Sequence, residues 1–232
     1  MTILRVATYN VHGHKGTDGK IIADRTFEVV RRLDADCVAL QEFVDAPAPT
    51  GQSLIAHWAA MLGMHGAYAG AFERGGEKFG NALLTRWPIV EQHAHDVTLQ
   101  GYRRRVVLEA LVKAEGMTLQ MMSLHLGVSP RERAVQAKRM FELCSATRAS
   151  FHLLLGDFNE WSRFSAVSRR LRSYFDVTRQ LPTFPSRAPV VGLDRVWVHP
   201  RGHIRSTHVE KSPAARLASD HLPLIATIDL TR

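Results

Sequence analysis

The sequence predicts an α/β fold: a sandwich built on mixed, rather than all-parallel, β-sheets. Three observations lead there. Short β-like apolar runs alternate with helical periodicities along most of the chain, the pattern of a layered α/β architecture. Residues 106–112 and 118–124 both read as strands and are joined near Glu115-Gly116, which makes them an antiparallel hairpin. Hairpins among crossover helices argue against a doubly wound parallel sheet. At 232 residues, one core can bury most of the apolar surface, and residues 1–232 are expected to form one domain.

The elements follow in order. Residues 3–9 alternate partly and end at Asn10, so they read as a first strand. Residues 24–33 carry Phe27, Val30 and Leu33 on one helical face, with Asp24 as the expected cap. Residues 36–40 form a short apolar run ending in Gln41-Glu42. Residues 45–51, rich in Ala and Pro, read as a loop, and 53–62 as a second helix. Residues 81–85 precede the hairpin as another strand. Ser129-Pro130-Arg131-Glu132 opens a third helix, with Ser129 as N-cap, Pro130 at the first helical position and Glu132 closing a capping box. Val135, Met140, Phe141 and Cys144 are expected on its packed face. Residues 152–155 make a short buried strand ending at Gly156-Asp157, 181–189 a Pro-rich loop, and 193–198 and 222–230 the last strands.

Composition narrows the function classes. Hydrophobic residues make up 45% and charged residues 22%, which excludes a disordered chain. No apolar run approaches the ~20 residues of a membrane helix. The N-terminus lacks a basic segment followed by an apolar one, so no signal peptide is expected. Cys37 and Cys144 form no C-x-x-C pair and are expected as buried free thiols, in keeping with a cytoplasmic location. A net charge of +8, mostly arginine, favours anionic partners.

Polar residues recur where the apolar runs stop: Asn10, Gln41-Glu42, His125, Asp157 to Glu160, Asp194, and Ser219-Asp220-His221. Any one of them serves as a cap or turn. Six such stations in one chain are the makings of a site where strand ends converge. Glu42 and Asp220 are hard oxygen donors, and Asn10 and Asn159 offer amide oxygens, a set suited to Mg²⁺, with Mn²⁺ as the alternative. His125 and His221 can donate to a phosphoryl oxygen or move a proton, and Asp194 can orient His221. Metal, oriented imidazole and phosphoryl-facing donors together describe phosphoester hydrolysis.

Seven segments, in this order, resemble the endonuclease/exonuclease/phosphatase superfamily, the pancreatic deoxyribonuclease-like fold. They are Thr8-Tyr9-Asn10-Val11-His12-Gly13, Leu40-Gln41-Glu42, Gly80-Asn81-Ala82-Leu83-Leu84-Thr85-Arg86, Ser123-Leu124-His125-Leu126, Gly156-Asp157-Phe158-Asn159, Leu193-Asp194-Arg195-Val196-Trp197-Val198 and Ser219-Asp220-His221-Leu222-Pro223-Leu224. Each is weak alone; the ordered set is specific and spans residues 8–224. The resemblance implies a four-layer α/β sandwich, two mixed β-sheets face to face with helices outside. It implies that Glu42 is the main metal-binding carboxylate, with Asn10 beside it and Asp220 near a second metal position. It places His125 on the scissile phosphate, Asp157 and Asn159 on the attacking water and phosphoryl oxygens, and Asp194 with His221 as a pair. Either Asp157 or that pair serves as the base. Asn81, in a segment typical of bacterial members, is the candidate substrate contact.

The expected function is therefore divalent-metal-dependent hydrolysis of a phosphodiester or phosphomonoester by an activated water. The alternatives are a DNA endonuclease or exonuclease, the abasic-site type included, or a non-catalytic module that binds nucleic acid or anionic lipid. Expected partners are a phosphoester substrate, nucleic acid or a phospholipid headgroup, with the chain a monomer. Arg103, Arg104 and Arg105 read equally as a phosphate contact or a solvated edge. His12 and His14 are expected in a surface loop, with the rim of the pocket as the alternative, and Trp58, Trp87, Trp161 and Trp197 in the core.

Overall fold

The computed structural model describes residues 2–162 and 164–231. Two six-stranded mixed sheets pack face to face. The first has the order β11-β12-β1-β2-β4-β3, built from β1 (Ile3–Asn10), β2 (Cys37–Val44), β3 (His65–Arg74), β4 (Glu77–Thr85), β11 (Ile204–Val209) and β12 (Leu224–Asp229). The second has the order β5-β6-β7-β8-β10-β9, built from β5 (Ile89–Asp96), β6 (Val106–Ala114), β7 (Met117–His125), β8 (Phe151–Asp157), β9 (Asp176–Val177) and β10 (Asp194–His199). Each sheet has one parallel pair, β1 with β2 and β7 with β8; the other neighbours are antiparallel.

The strands alternate, so each sheet has two buried faces and the core has three parts. Leu4, Val6, Leu83, Met121, Leu153, Leu155 and Val196 fill the seam between the sheets. Tyr9, Leu40, Phe43 and Leu84 pack the other face of the first sheet under α1 (Ala23–Arg32), α2 (Leu54–Leu62) and α5 (Pro213–Ala218). Met122, Leu124, Leu154 and Trp197 do the same for the second sheet under α3 (Pro130–Ala146) and α4 (Ala166–Arg172). Helix, sheet, sheet and helix give the four layers. Among the described residues no helix is long and apolar enough to cross a membrane.

Local sequence accounts for the helix starts. Ser129 and Glu132 make the capping box of α3 with Pro130 in the first turn, worth about 1 kcal/mol. Ser53 caps α2. Two expectations are corrected. Asp24 does not cap α1; Ile22 holds that position without a side-chain bond, and Asp24 lies in the first turn, where its charge faces the helix dipole. Val135 is exposed, because the buried stripe of α3 runs through Glu132, Gln136, Ala137, Met140, Leu143 and Cys144. Cys37 and Cys144 are buried free thiols.

Candidate active site

The seam between the sheets turns polar at one end. Along β1 the inward row reads Leu4, Val6, Thr8, Asn10; along β7, Met121, Ser123, His125; along β8, Leu153, Leu155, Asp157. The antiparallel strands enter from that end, so β10 begins with Asp194 before Val196 and Val198. Registers hold these residues level: Asn10 lies opposite Gln41, and Asp157 lies opposite both His125 and Asp194. Hydrogen bonds stitch the sheets just below, Gln41 Nε2 to Ser123 Oγ at 3.4 Å and Asn81 Nδ2 to the Val106 carbonyl at 2.6 Å.

Glu42 reaches this end through a break in the alternation. Leu40 and Phe43 both pack on the helix side, so two residues stand between them instead of one. The register against β4 shifts between Leu40 and Phe43, and Glu42 takes φ +52°. This bulge turns Glu42 toward His125, Oε1 to Nδ1 at 3.7 Å. Left-handed backbone at a residue with a side chain costs about 1–3 kcal/mol, and such strain concentrates at functional sites. Asn159 is in the same region at φ +48°.

Asp157 is the centre. Its Oδ2 accepts from Asn10 Nδ2 at 3.2 Å and lies 3.6 Å from His125 Nε2 and 3.7 Å from His221 Nε2. Its Oδ1 accepts the Asn159 backbone N–H at 2.8 Å. On the far side of His221, Nδ1 bonds Asp194 Oδ2 at 2.9 Å, and Thr183 Oγ1 donates to the same oxygen at 2.5 Å. Burial by itself lowers an imidazole pKa. Asp194, through its charge and its hydrogen bond, outweighs that with Asp157 and Asp220 behind it, and His221 is lifted to about 10. His125 moves the other way, pushed down to about 3 by burial and then by Arg105, with Asp157 opposing. It is neutral. Asn159 Nδ2 donates to Leu126 O at 2.9 Å and points its other hydrogen at His125 Nε2, 3.1 Å away. His125 therefore carries its proton on Nδ1, toward Glu42.

The expected residues divide into those that meet and those that stand apart. Asn10, Glu42, His125, Asp157, Asn159, Asp194 and His221 form one connected cluster. Asp220 lies at the rim, 37% exposed, with His12 Nδ1 at 3.6 Å. Asn81 lines a small cavity with Glu42, Arg105 and His125. Arg105 is the residue that the sequence left undecided. It is 7% exposed, its Nε has no partner, and the charges of Asp157 and Glu42 partly offset the burial that lowers its pKa. The three consecutive arginines were the available signal; only the fold shows which one turns inward. Thr183 was also passed over, inside a loop that reads as a connector.

Two other expectations are corrected. His14 is buried, its Nε2 3.2 Å from the Val44 carbonyl and its ring edge-on to Phe43 and Trp58. Trp161 is exposed, on the wall of a groove of about 930 Å³ with Phe164 and Val190, because the chain leaves the sheet after Asp157. Trp58 and Trp197 are buried as expected.

The donor set suits a hard divalent ion. Among the described residues nothing donates to the Glu42 carboxylate, which faces the site, and the Asn10 amide oxygen accepts only the His12 N–H, leaving a lone pair. Asp157, Asp194 and His221 also offer ligand atoms within 4.8 Å of one another. There, however, the His221 Nδ1 and Asp194 Oδ2 are already engaged with each other.

Comparison with known proteins identifies the family and the fold. Residues 7–221 match the model of the Endonuclease/Exonuclease/phosphatase family. The uncharacterized protein YbhP of Escherichia coli strain K12 is 27% identical, over 97% of this chain and 96% of its own length. Among solved structures, the endonuclease/exonuclease/phosphatase from Beutenbergia cavernae matches with a TM-score of 0.75 at 22% identity, covering 98% of this chain and 72% of that one. D. rerio TDP2 complexed with single strand DNA product matches at 0.75 and 19% identity, covering 99% of this chain and 100% of that one. At these identities, the structural likenesses establish the fold.

Proposed function

We propose that this chain, which belongs to the endonuclease/exonuclease/phosphatase family, is a divalent-metal-dependent phosphoesterase that cleaves a phosphodiester or phosphomonoester by attack of water. The observation that carries this reading is the crowding around Asp157 Oδ2. An amide, a neutral imidazole and a charged imidazole approach it from two strands and a loop, with the Glu42 carboxylate beyond His125.

Each residue then has a task. Glu42 and the Asn10 amide oxygen, with Asp220 at the rim, would hold the ion; Mg²⁺ fits the oxygen donors. When bound, it supplies Lewis-acid stabilisation of charge on the phosphoryl oxygens. Asn159, neutral His125 and buried Arg105 orient those oxygens and exclude bulk water. Asp157 aligns the water. The group Asp157–His221–Asp194 takes up the proton that the water releases as the new P–O bond forms and the leaving oxygen departs. Thr183 fixes Asp194, and Asp194 fixes the His221 ring.

A nuclease is the second reading. It is supported by the net charge of +8 and by the single strand DNA product bound to the structurally similar D. rerio TDP2.

The test is hydrolysis of bis-p-nitrophenyl phosphate and p-nitrophenyl phosphate with Mg²⁺ or Mn²⁺, with and without EDTA, for wild type, Glu42→Ala and His221→Ala. The expected result is turnover abolished by EDTA and lowered by roughly 10²–10⁴-fold in each variant. Undiminished turnover in EDTA, or in both variants, overturns the reading. Retained binding of an anionic ligand by a folded wild type that hydrolyses nothing would favour a binding module.

A further inference from the structure

One wall of the cleft is a continuous stack of two arginines and two phenylalanines that the catalytic reading does not use. Arg74 Cζ lies 4.6 Å from the centre of the Phe79 ring. Phe79 and Phe72 stack with centres 5.3 Å apart and planes 3° from parallel. Arg103 Cζ lies 4.8 Å from the centre of the Phe72 ring. The four side chains come from the β3–β4 hairpin and the segment before β6, so the order Arg74–Phe79–Phe72–Arg103 crosses from one sheet to the other.

The stack touches the site at one end. Phe72 lines the same small cavity as Glu42, Asn81, Arg105 and His125. At the other end Arg74 and Phe79 line a separate groove with His12 and Lys15. Phe79 cannot drift, because it packs directly on the turn that follows Asn10. A Cβ on Gly13 would lie 2.6 Å from its Cε1, and Gly13 has φ +60°, a conformation that glycine takes without strain.

Both arginines are exposed. Among the described residues neither guanidinium makes an ion pair or donates a hydrogen bond. Glu77 lines the Arg74 groove without pairing to it, and only the neighbouring Arg104 is neutralised, by Asp96 at 3.0 Å. A guanidinium lying on a ring face keeps its edge N–H groups outward and is already ordered, so it loses little freedom on gripping an anion. Planar, paired N–H donors of this kind match phosphate oxygens.

We infer that the Arg74–Phe79–Phe72–Arg103 stack is a second phosphate-binding subsite, and that the preferred substrate carries at least one phosphate beyond the scissile one. This inference rests on the phosphoester reading above and specifies its substrate class. A single mononucleotide-sized group at the centre leaves the strip unused; a chain of phosphates, or a headgroup bearing several, reaches it.

The test compares wild type with Arg74→Gln, Arg103→Gln and the double variant, whose substituted side chains are exposed. Hydrolysis is measured on bis-p-nitrophenyl phosphate, on a short oligothymidylate and on a soluble phosphodiester of a bis-phosphorylated inositol. The quantity read is the kcat/KM ratio of each multi-phosphate substrate to the single phosphodiester. It is expected to fall about fivefold for each arginine. Arg103→Lys, which keeps the charge and loses the planar stack, should recover only part of it. In parallel, binding of a fluorescent oligothymidylate and a fluorescent inositol phosphate is followed against salt in EDTA, where each Gln variant should lower the log–log slope by ~1. A fall confined to oligothymidylate identifies a nucleic-acid strand as the source of the extra phosphates, and one confined to the inositol compound identifies a headgroup. Unchanged ratios with unchanged salt slopes overturn the inference. If wild type hydrolyses nothing, the phosphoester reading fails, and the binding slopes still decide the subsite.

Discussion

Acid should loosen this protein through His14. The ring is buried against Phe43 and Trp58, its Nε2 bonds the Val44 carbonyl at 3.2 Å, and its Nδ1 is buried without a partner. Adding a proton would place an unpaired N–H⁺ among aromatic rings. Burial accordingly lowers its pKa from 6.5 to about 4, against the opposing pull of the Val44 carbonyl. Because the folded pKa lies below the unfolded one, the unfolded chain binds the proton first. The stability tied to neutral His14 is complete above pH 6.5 and drains away as pH falls toward 4. The loss is about 2 kcal/mol by pH 5 and about 3 kcal/mol by pH 4. The assay is urea unfolding from about pH 7.5 down to about pH 4.5 for wild type and His14→Gln, which cannot titrate and keeps a donor for Val44. Other groups, such as His152, share the window, so the informative quantity is the wild-type-minus-variant difference. It should shrink by about 2.5 kcal/mol across that range. Parallel curves would refute the reasoning, since they would mean that the imidazole titrates in the folded protein as it does in water.

Three further outcomes are expected. Glu42→Gln should cut metal-dependent turnover by roughly a hundredfold or more while the thermal midpoint holds steady, because among the described residues the nearest partner of that carboxylate is His125 Nδ1, 3.7 Å away and beyond hydrogen-bond reach; a large drop in the midpoint alongside the activity would assign Glu42 a structural role instead. Thr183→Val removes the hydroxyl that donates to Asp194 Oδ2, on a carboxylate whose Oδ1 already lacks a partner among the described residues, and should cost about 1–3 kcal/mol and lower kcat more than it changes KM. Thr183→Ser should restore most of both, and a Val variant with wild-type kcat would remove Thr183 from the positioning of His221. Gly156→Ala drives a Cβ into the Leu124 carbonyl oxygen inside the parallel pair β7–β8, and a loss of about 3 kcal/mol or more is expected from chemical denaturation; an unchanged midpoint would show that the pair can spread.

Legibility followed burial. The eight strands read from the sequence are the interior strands of both sheets, where apolar runs are continuous. The four missed ones, β3, β5, β9 and β11, are the four sheet edges. Half-solvated edges carry sequences such as Ile89-Val90-Glu91-Gln92-His93-Ala94-His95-Asp96, whose residues are nearly all exposed or half-exposed, and no apolar period survives there. Helices α4 and α5, of 7 and 6 residues, are too short to show a face. Asp24 misled for a related reason: an acid near a helix start favours the dipole whether or not it is the cap.

By itself, the sequence determined the chemistry available and the end of the sandwich that would hold it. Strands alternate with period two, so apolar rows that end in Asn10, His125 and Asp157, and an antiparallel one that starts at Asp194, bring those side chains to one rim once the strands pack. What the tertiary structure decided was orientation and dielectric environment. A bulge set against β4 turns Glu42 onto the same face as Gln41. The approach of the two sheets buries Arg105 and leaves Arg74 and Arg103 lying on aromatic rings in solvent. Burial lowers the proton affinity of both site histidines; Asp194 outweighs it at His221, while Arg105 adds to it at His125. Those outcomes depend on partners distant in the chain, and no local pattern encodes a distance between residues that meet only when the sheets close.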